Sequence, residues 1–285
     1  AAAKEIAPIL KKYCVVITKS TVPVGTSLEI SNIIKKHNRN ASFDVVSNPE
    51  FLREGSAIED FMRPNRVIIG CENEKSKKIM ENIYQPLNLI QTPILFTDLK
   101  SAELIKYASN AFLAMKISFI NQMADLCESL NTDIHFISRG MGLDKRIGDK
   151  FLHPGPGYGG SCFPKDTIAL SKIASDNNVD LSIINNVISY NKNRKKSLIK
   201  KINHILGNDI KDMSVAVLGL SFKPGTDDMR ESPSLDLIPS LVENVKEIKV
   251  YDPIAMDEAS KYIKDVYFAD NIEDCIKNVD VTIIL

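Results

Sequence analysis

Short apolar runs alternate with longer stretches of helical periodicity along much of this chain, and that alternation predicts an α/β fold. Runs typical of strands in parallel sheets lie at residues 13–18, 43–47, 66–70, 94–96, 214–220, 247–251 and 281–285. Apolar positions at helical spacing predict helices over roughly 27–37, 74–84, 167–177, 182–206 and 233–244. Polar loops follow the first two strands, where doubly wound sheets bind their ligands. The pattern therefore predicts a candidate site at those two loops.

The middle of the chain is predicted to contain a long helix that begins at Thr97-Asp98. Its apolar stripe, from Leu104 to Leu130, is typical of a helix side that faces a core. Lys106 and Asn110 are four residues apart on this helix and share one face. Spacing alone favours a solvated surface for such a pair.

Three domains are expected from this order of elements. A short helix over 133–139 should close at Gly140, and the basic run from Lys192 to Lys196 favours a solvated face on the helix over 182–206. The chain then reads as two Rossmann-like parallel-sheet domains, both incomplete, joined by a central helical domain with a long connecting helix. The expected boundaries are 1–97, 98–206 and 207–285.

Composition and charge narrow the possible partners. The 285 residues carry 36 basic and 36 acidic side chains, so the net charge is zero and no overall field recruits nucleic acid or an anionic membrane. No apolar run reaches the length of a membrane span. The five cysteines are scattered, without the spacing of metal ligands, which favours free thiols in a reducing cytoplasm and no metal site.

Residues 151–166 form the most unusual stretch, with four glycines, three prolines and Cys162. This composition predicts a shaped loop that holds an open thiol, with a helix starting at Asp166 or Thr167. A lone cysteine is most often a small buried hydrophobe. The glycines at 159 and 160, together with Lys165 and Asp166, favour a catalytic thiol instead.

The glycine-rich fingerprint of a dinucleotide site, Gly-x-Gly-x-x-Gly after a strand, is not found near the start of the sequence. Either the chain is a fragment of such a protein or it belongs to another class. Gly219 and the polar loop 221–232 follow a strand and can hold a nucleotide, although without the full fingerprint that signal is weak.

Five motifs together resemble the nucleotide-sugar 6-dehydrogenases, most closely their UDP-glucose branch. They are Lys19-Ser-Thr-Val-Pro23, Asn48-Pro-Glu-Phe-Leu-Arg-Glu-Gly55, Lys106 with Asn110, Gly159-Gly-Ser-Cys-Phe-Pro-Lys-Asp166 and the segment 219–232. They occur in the family's order and approximate spacing over nearly the whole chain. Ser161 and Phe163, beside the cysteine, favour UDP-glucose over other sugars by analogy.

The resemblance implies an NAD-dependent, four-electron oxidation of UDP-glucose to UDP-glucuronate, with Cys162 as the nucleophile of a thiohemiacetal and a thioester. It implies that Lys106 and Asn110 stabilise the oxyanion, and that Asp166 and Thr21 hold a water molecule. Glu50 is a further carboxylate able to take a proton. How the base role divides between Asp166 and Glu50 stays open.

The resemblance also supplies binding residues. Those expected at the UDP-sugar are Glu50, Phe51, Leu52, Arg53, Lys106, Asn110, Arg146, Phe151, Leu152, His153, Pro154, Gly155, Gly159 and Lys223. Those expected near NAD are Thr21, Glu54, Lys165 and Arg230. Because Arg146 is expected to reach the substrate of a neighbouring subunit, the resemblance implies a homodimer or a higher homo-oligomer. It also implies a cytoplasmic enzyme of polysaccharide biosynthesis.

Two further expectations complete the hypothesis. The resemblance implies about a hundred residues before Ala1, carrying the glycine-rich turn, and some tens after Leu285. The alternatives are oxidation of another nucleotide sugar, GDP-mannose or UDP-N-acetylmannosamine, and a non-catalytic nucleotide-sugar binding protein that keeps the fold. A purely helical dimerisation scaffold does not account for the polar loops at strand ends.

Overall fold

A computed structural model describes residues 1–90 and 92–285, which divide into two units, Ala1–Ser109 and Asn110–Leu285. The first unit contains α1 (Ala2–Ile6), β1 (Cys14–Thr18), α2 (Thr26–His37), β2 (Phe43–Ser47), α3 (Ala57–Met62), β3 (Val67–Gly70), α4 (Glu74–Tyr84), β4 (Ile94–Thr97) and the start of α5 (Leu99–Leu130). Short 3₁₀ turns follow α1 and α4. Helix α3 was not predicted.

The first sheet has the strand order β1-β2-β3-β4. Strands β1 and β2 are parallel, so the two polar loops that follow them lie at the same sheet edge, as predicted. The sheet is not fully parallel, because β2 meets β3 antiparallel through Ser47 and Gly70 before the parallel pair β3–β4. β1 was expected to be buried on both faces but is only half-buried, since it lies at the edge of this sheet.

Helix α5 follows the expected assignment of its apolar stripe to a core only in part. Asp98 caps it by accepting a hydrogen bond from the Ser101 N–H at 2.9 Å, as the sequence predicts. The apolar stripe that was expected in the core is largely exposed, at Leu104, Phe112, Phe119, Leu126 and Leu130. The buried side carries Tyr107 and Ile120 but is otherwise made mostly of small and polar residues, among them Ala102, Glu103, Lys106, Asn110, Ala111, Ala114, Ser118 and Asn121. The predicted stripe is therefore buried at Ala111 and Ile120 but not at its larger side chains named above.

The second unit contains the rest of α5, then α6 (Ile134–Gly142), α7 (Phe163–Asp176), α8 (Ser182–Leu206), β5 (Ser214–Leu218), α9 (Ser234–Val242), β6 (Glu247–Tyr251), α10 (Met256–Tyr262), β7 (Tyr267–Phe268), α11 (Ile272–Ile276) and β8 (Val281–Ile284). Its sheet is parallel, in the order β7-β6-β5-β8. The core of this sheet packs Val215, Val217 and Val250 against Ile238 and Leu241 of α9. The predicted α/β class with Rossmann-like sheets and central helices is confirmed. The three domain boundaries stay a prediction.

Three local predictions need correction. Helix α7 begins at Phe163 rather than at Asp166 or Thr167, because Pro164 suits the first turn of a helix and does not interrupt it. Helix α6 continues through Gly140 to Gly142, since Gly140 keeps a helical conformation. The basic run on α8 is not a solvated face at Arg194 and Lys195, which are both buried.

Across residues 1–90 and 92–285, no helix is long and apolar enough to cross a membrane. The same residues hold no group of three or more His, Cys, Asp or Glu side chains that could bind a metal ion, and the five cysteines are free thiols.

Candidate active site

In the first unit, the buried Lys106 forms an ion pair with the half-buried Glu50. Lys106 is 3% exposed, and its Nζ lies 3.2 Å from Glu50 Oε1 and 5.2 Å from the centre of the Phe51 ring. Glu50 Oε2 accepts a hydrogen bond from the Leu52 N–H at 2.6 Å. A buried ammonium is costly unless it is paired, so this arrangement holds one cation at a fixed point. The solvated surface that spacing favoured for Lys106 was wrong.

Asn48 anchors the loop that carries Glu50. Its amide is almost fully buried, donates to the Ile68 carbonyl at 2.7 Å, and accepts hydrogen bonds from Lys19 Nζ at 3.0 Å and from the Tyr84 hydroxyl. No role is predicted for Lys19, Asn48 or Tyr84 from the sequence. The signal was available for Lys19 and Asn48, since each directly follows one of two parallel strands.

The remaining predicted residues of the first unit are more accessible. Arg53 is exposed and forms an ion pair with Asp60 at 2.7 Å. Thr21 and Leu52 are half-buried, and Glu54 is exposed. Arg66 adds a second cation beside Phe51, with its guanidinium carbon 3.9 Å from the ring centre, and burial lowers the pKa of Arg66.

Glu103 holds the start of α2, another contact that sequence analysis missed. Its carboxylate is buried and accepts hydrogen bonds from the Gly25 N–H at 2.6 Å and the Ser27 N–H at 2.8 Å. Gly25 has a φ of +97°, a left-handed conformation that favours glycine. A carboxylate at these two amides stabilises the first turn of α2 and thereby the end of the loop that contains Thr21.

In the second unit, Cys162 occupies the N-cap position of α7, and its side chain is exposed. Its Sγ lies 3.5 Å from the Ser161 hydroxyl. The thiol is therefore accessible to a reacting molecule at the N-terminus of the helix. The alternative that Cys162 is a buried core residue does not hold.

Asp166, one turn along α7, is almost fully buried beside the thiol-bearing end of the helix. Its Oδ2 accepts a hydrogen bond from Asn110 Nδ2 at 2.6 Å. Lys165 Nζ lies 3.1 Å from Oδ1 but without hydrogen-bond geometry, so this buried oxygen has no hydrogen-bond donor among the described residues. Asp166 Oδ1 is therefore able to accept a further hydrogen bond. Asn110 is buried, against the solvated surface that spacing favoured.

Side chains of α5 and α8 hold the backbone of the loop that precedes Cys162. Asn191 accepts from the Tyr158 N–H at 2.8 Å and donates to the Tyr158 carbonyl at 2.9 Å. Asn121 accepts from the Gly155 N–H at 2.7 Å, and Arg194 donates to the Gly155 carbonyl at 3.2 Å. These contacts fix the loop without a regular element of its own. None of these three anchors is predicted from the sequence, although Asn110 and Asn121 lie on one face of α5.

Glycines 159 and 160 pack against the loop 219–232. The Gly160 N–H donates to the Arg230 carbonyl at 2.8 Å, and a Cβ on Gly160 would lie 2.6 Å from the Phe222 ring. A Cβ on Gly159 would lie 2.4 Å from the Glu231 carbonyl oxygen. Only glycine fits at these two positions, since real side chains do not approach a neighbour so closely.

The other predicted residues of the second unit lie in varied surroundings. Phe151 has a φ of +63°, and its ring centre lies 6.1 Å from that of Phe163. Leu152 is buried, His153 is exposed, and Pro154 and Lys223 are half-buried. Two arginines pair with nearby carboxylates and stay accessible: Arg146 with Asp144 at 2.6 Å, and Arg230 with Asp228 at 2.8 Å.

Three models of one protein family match the chain in succession. The NAD binding domain of the UDP-glucose/GDP-mannose dehydrogenase family matches residues 1–88, its central domain matches 100–193, and its UDP binding domain matches 216–285.

Individual relatives match over nearly the whole chain. The UDP-glucose 6-dehydrogenase of Rhizobium meliloti (strain 1021) is 48% identical over 100% of this chain and 66% of its own length. UDP-glucose 6-dehydrogenase YwqF of Bacillus subtilis (strain 168) is 48% identical over 100% of this chain and 64% of its own. The solved UDP-glucose dehydrogenase from the hyperthermophilic archaeon Pyrobaculum islandicum superimposes with a TM-score of 0.93 at 36% identity, over 99% of this chain and 66% of that one. The chain thus spans just under two thirds of the length of these relatives.

Proposed function

The chain belongs to the UDP-glucose/GDP-mannose dehydrogenase family, and we propose that the full-length natural protein oxidises UDP-glucose to UDP-glucuronate with NAD. The observation that carries the proposal is the exposed thiol of Cys162 at the N-terminus of α7, one turn from the buried Asp166–Asn110 pair. A nucleophile, a carboxylate and an amide donor on this scaffold suit the trapping and hydrolysis of an acyl group.

The proposed chemistry follows from what each residue type can do. Oxidation of the sugar's primary alcohol gives an aldehyde, to which the Cys162 thiolate adds to form a thiohemiacetal. Its oxidation leaves a thioester, and water releases the carboxylate and regenerates the thiol. When bound, NAD supplies hydride acceptance, with one molecule for each of the two oxidations.

The polar and charged residues would stabilise the intermediates of this reaction and hold the water that hydrolyses the thioester. Lys106 is fixed by Glu50 in the first unit, and we assign it the stabilisation of negative charge on the substrate oxygen, with Asn110 as a donor to the same oxygen. Asp166 Oδ1, which can accept a hydrogen bond, would hold the hydrolytic water together with Thr21. The base is Asp166 or Glu50.

The residues present fit a nucleotide cofactor. Two polar loops follow the parallel strands β1 and β2 at one sheet edge, which is where nucleotides bind in such sheets. Thr21 and Glu54 on these loops are at least partly accessible, as are Lys165 and Arg230 in the second unit. These four residues would contact NAD. The residues that would contact the UDP-sugar are Glu50, Phe51, Leu52, Arg53, Lys106, Asn110, Arg146, Phe151, Leu152, His153, Pro154, Gly155, Gly159 and Lys223.

A second copy of the chain is the proposed partner, and free thiols support a cytoplasmic location. The exposed stripe of Phe112, Phe119, Leu126 and Leu130 supports association, because apolar surface of this kind is normally covered. Replacing Phe119 by Asp should halve the molar mass measured by light scattering. Ile205→Asp, at an exposed apolar residue of α8 off the stripe, is the control. An unchanged mass for Phe119→Asp would place the interface elsewhere.

The test of the activity replaces Cys162 by Ala in the full-length protein. We expect NADH production from UDP-glucose to be lost while UDP-glucose binding, measured by calorimetry, is retained. Cys14→Ala, at a half-buried free thiol of β1, is the control and should keep turnover. Turnover by the Cys162→Ala variant would refute the covalent mechanism.

Substrate choice is tested by comparing UDP-glucose, GDP-mannose and UDP-N-acetylmannosamine on the wild-type protein. The proposal requires the highest kcat/KM for UDP-glucose. Faster oxidation of another sugar would reassign the substrate, and tight binding without oxidation of any of them would indicate a binding protein.

A further inference from the structure

Lys195 is a buried cation with no part in the chemistry proposed above. It lies on α8 and is 7% exposed, and its Nζ donates to the Glu231 carbonyl at 2.8 Å and lies 3.0 Å from Glu231 Oε2. Asp236 Oδ2 is 3.8 Å away. Burial of an ammonium is tolerated because these groups pair with it. Lys195 therefore ties α8 to the turn that contains Glu231.

The turn held by Lys195 has an uncommon backbone. Glu231 has a φ of +54°, which is unfavourable for a residue with a Cβ. The Ser232 N–H closes the turn on the Met229 carbonyl at 3.0 Å. Such a conformation persists only where the surroundings hold it, and here the Lys195 ammonium binds the carbonyl oxygen of the strained residue itself.

The same carbonyl oxygen faces the loop of the reactive thiol. It lies where a Cβ on Gly159 would approach to 2.4 Å, and the preceding carbonyl, that of Arg230, accepts the Gly160 N–H. Gly159 is three residues from Cys162. Since the two backbones touch without an intervening side chain, a shift of the Glu231 carbonyl displaces the glycine pair.

We propose that Lys195 is a positioning residue for Cys162: it fixes the Glu231 carbonyl, against which Gly159 and Gly160 seat the thiol at the N-terminus of α7. The inference rests on the proposed function only in taking Cys162 as the reacting group. A displaced thiol loses both its approach to the substrate carbon and its exposed position at the N-terminus of α7.

The experiment compares Lys195→Met with Lys196→Met, its exposed neighbour, in the full-length protein. Two quantities are measured: the rate at which iodoacetamide alkylates Cys162, followed by peptide mass spectrometry, and kcat and KM for UDP-glucose. We expect Lys195→Met to slow alkylation at least about threefold and to lower kcat about tenfold, with a smaller change in KM. Lys195→Arg should recover part of both, because a guanidinium can donate to the same carbonyl.

A folded Lys195→Met protein that keeps wild-type alkylation overturns the proposal, even if kcat falls, since a merely structural role would not require the thiol to change. If Lys195→Met does not fold, Phe222→Leu loosens the same junction from the Gly160 side, and unchanged alkylation in that variant overturns the proposal equally. Alkylation needs neither sugar nor NAD. A wild-type protein that makes no NADH from UDP-glucose would therefore refute the proposed function. The alkylation rates of Lys195→Met and Lys196→Met would still test the positioning role of Lys195.

Discussion

The stability of the fold should depend on pH through Asp252, because main-chain N–H groups donate hydrogen bonds to its buried carboxylate at the end of β6. Oδ2 accepts from the Leu220 N–H at 2.8 Å, and Oδ1 accepts from the Ile254 and Ala255 N–H groups at 2.9 Å each. Burial acts to raise the pKa of Asp252, but these hydrogen bonds outweigh it and lower the pKa below the ordinary value of 3.8. The informative change is Asp252→Asn.

The magnitude follows from the number of acceptors. An amide keeps one oxygen and turns an NH₂ group toward the second set of donors, so one side of the clamp must fail. Losing a charge-assisted hydrogen bond costs roughly 1.5–3 kcal/mol, and leaving a buried N–H unpaired costs roughly 1–3 kcal/mol. Because these costs overlap, we expect the free energy of unfolding to fall by about 3 kcal/mol.

The sign of the pH effect is fixed by the lowered pKa. A carboxyl group whose folded-state pKa is depressed contributes stability above its unfolded pKa, and that contribution is lost as pH falls through the folded-state value. The difference between wild type and Asp252→Asn should therefore be constant near neutral pH and shrink below about pH 4.

Thermal unfolding followed by circular dichroism, at neutral and acid pH, tests both statements. At neutral pH the midpoint of Asp252→Asn should fall by about 6–12 °C, at roughly 2–4 °C per kcal/mol for a chain of this size. Asp257→Asn, at an exposed carboxylate in the first turn of α10, is the matched control and should stay within about 0.5 kcal/mol of wild type. Equal midpoints for wild type and Asp252→Asn, or a difference that persists undiminished in acid, would refute the reasoning.

Three further predictions concern other parts of the molecule. Glu103→Gln should lower the free energy of unfolding by about 1–3 kcal/mol in urea titrations, because the amide at Gly25 loses a charged acceptor; no change would mean that the contact is dispensable. Gly159→Ala must displace the neighbouring carbonyl and should lower the free energy of unfolding by about 1–3 kcal/mol. Gly140→Ala has open space around its Cβ and should stabilise α6 by up to ~1 kcal/mol, so equal effects of the two changes would contradict the close contact at Gly159. Burial and a carboxylate neighbour raise the pKa of Tyr190 to about 12, so the contribution of Tyr190 to stability is present below about pH 10 and lost as pH rises through about 12. Ultraviolet titration of Tyr190→Phe should lack this late-titrating phenol, and an unchanged curve would refute the assignment.

Most secondary structure follows from periodicity, because the strands and longer helices have strong local patterns. β2, β6, α4 and α8 match their predicted bounds. Helix α3 and the elements between β6 and β8 were missed because they are short, and burial rather than sequence pattern stabilises them. The start of α7 was misplaced because Pro164 was read as a loop residue, although a proline in the first turn loses no hydrogen bond.

The candidate site could be predicted only in part. Motifs pointed to Cys162 and Lys106, but the residues that hold the loops gave no local signal, because their partners lie far away in sequence. Asn191, for example, binds a backbone 33 residues away. The misassigned faces of α5 have a related cause. Its buried side combines small apolar residues with polar ones that bind loops, and several large apolar side chains of the stripe are exposed in the single chain.

The carboxylate of Glu103 has a consequence for motion. Glu103 and Lys106 lie one turn apart on α5, so a single turn of this helix contacts both the start of α2 and the loop that contains Glu50. A small shift of this turn would move both attachments together. The two polar loops of the first unit are therefore attached to one turn of a single helix, and we expect relaxation measurements on them to report one common exchange rate.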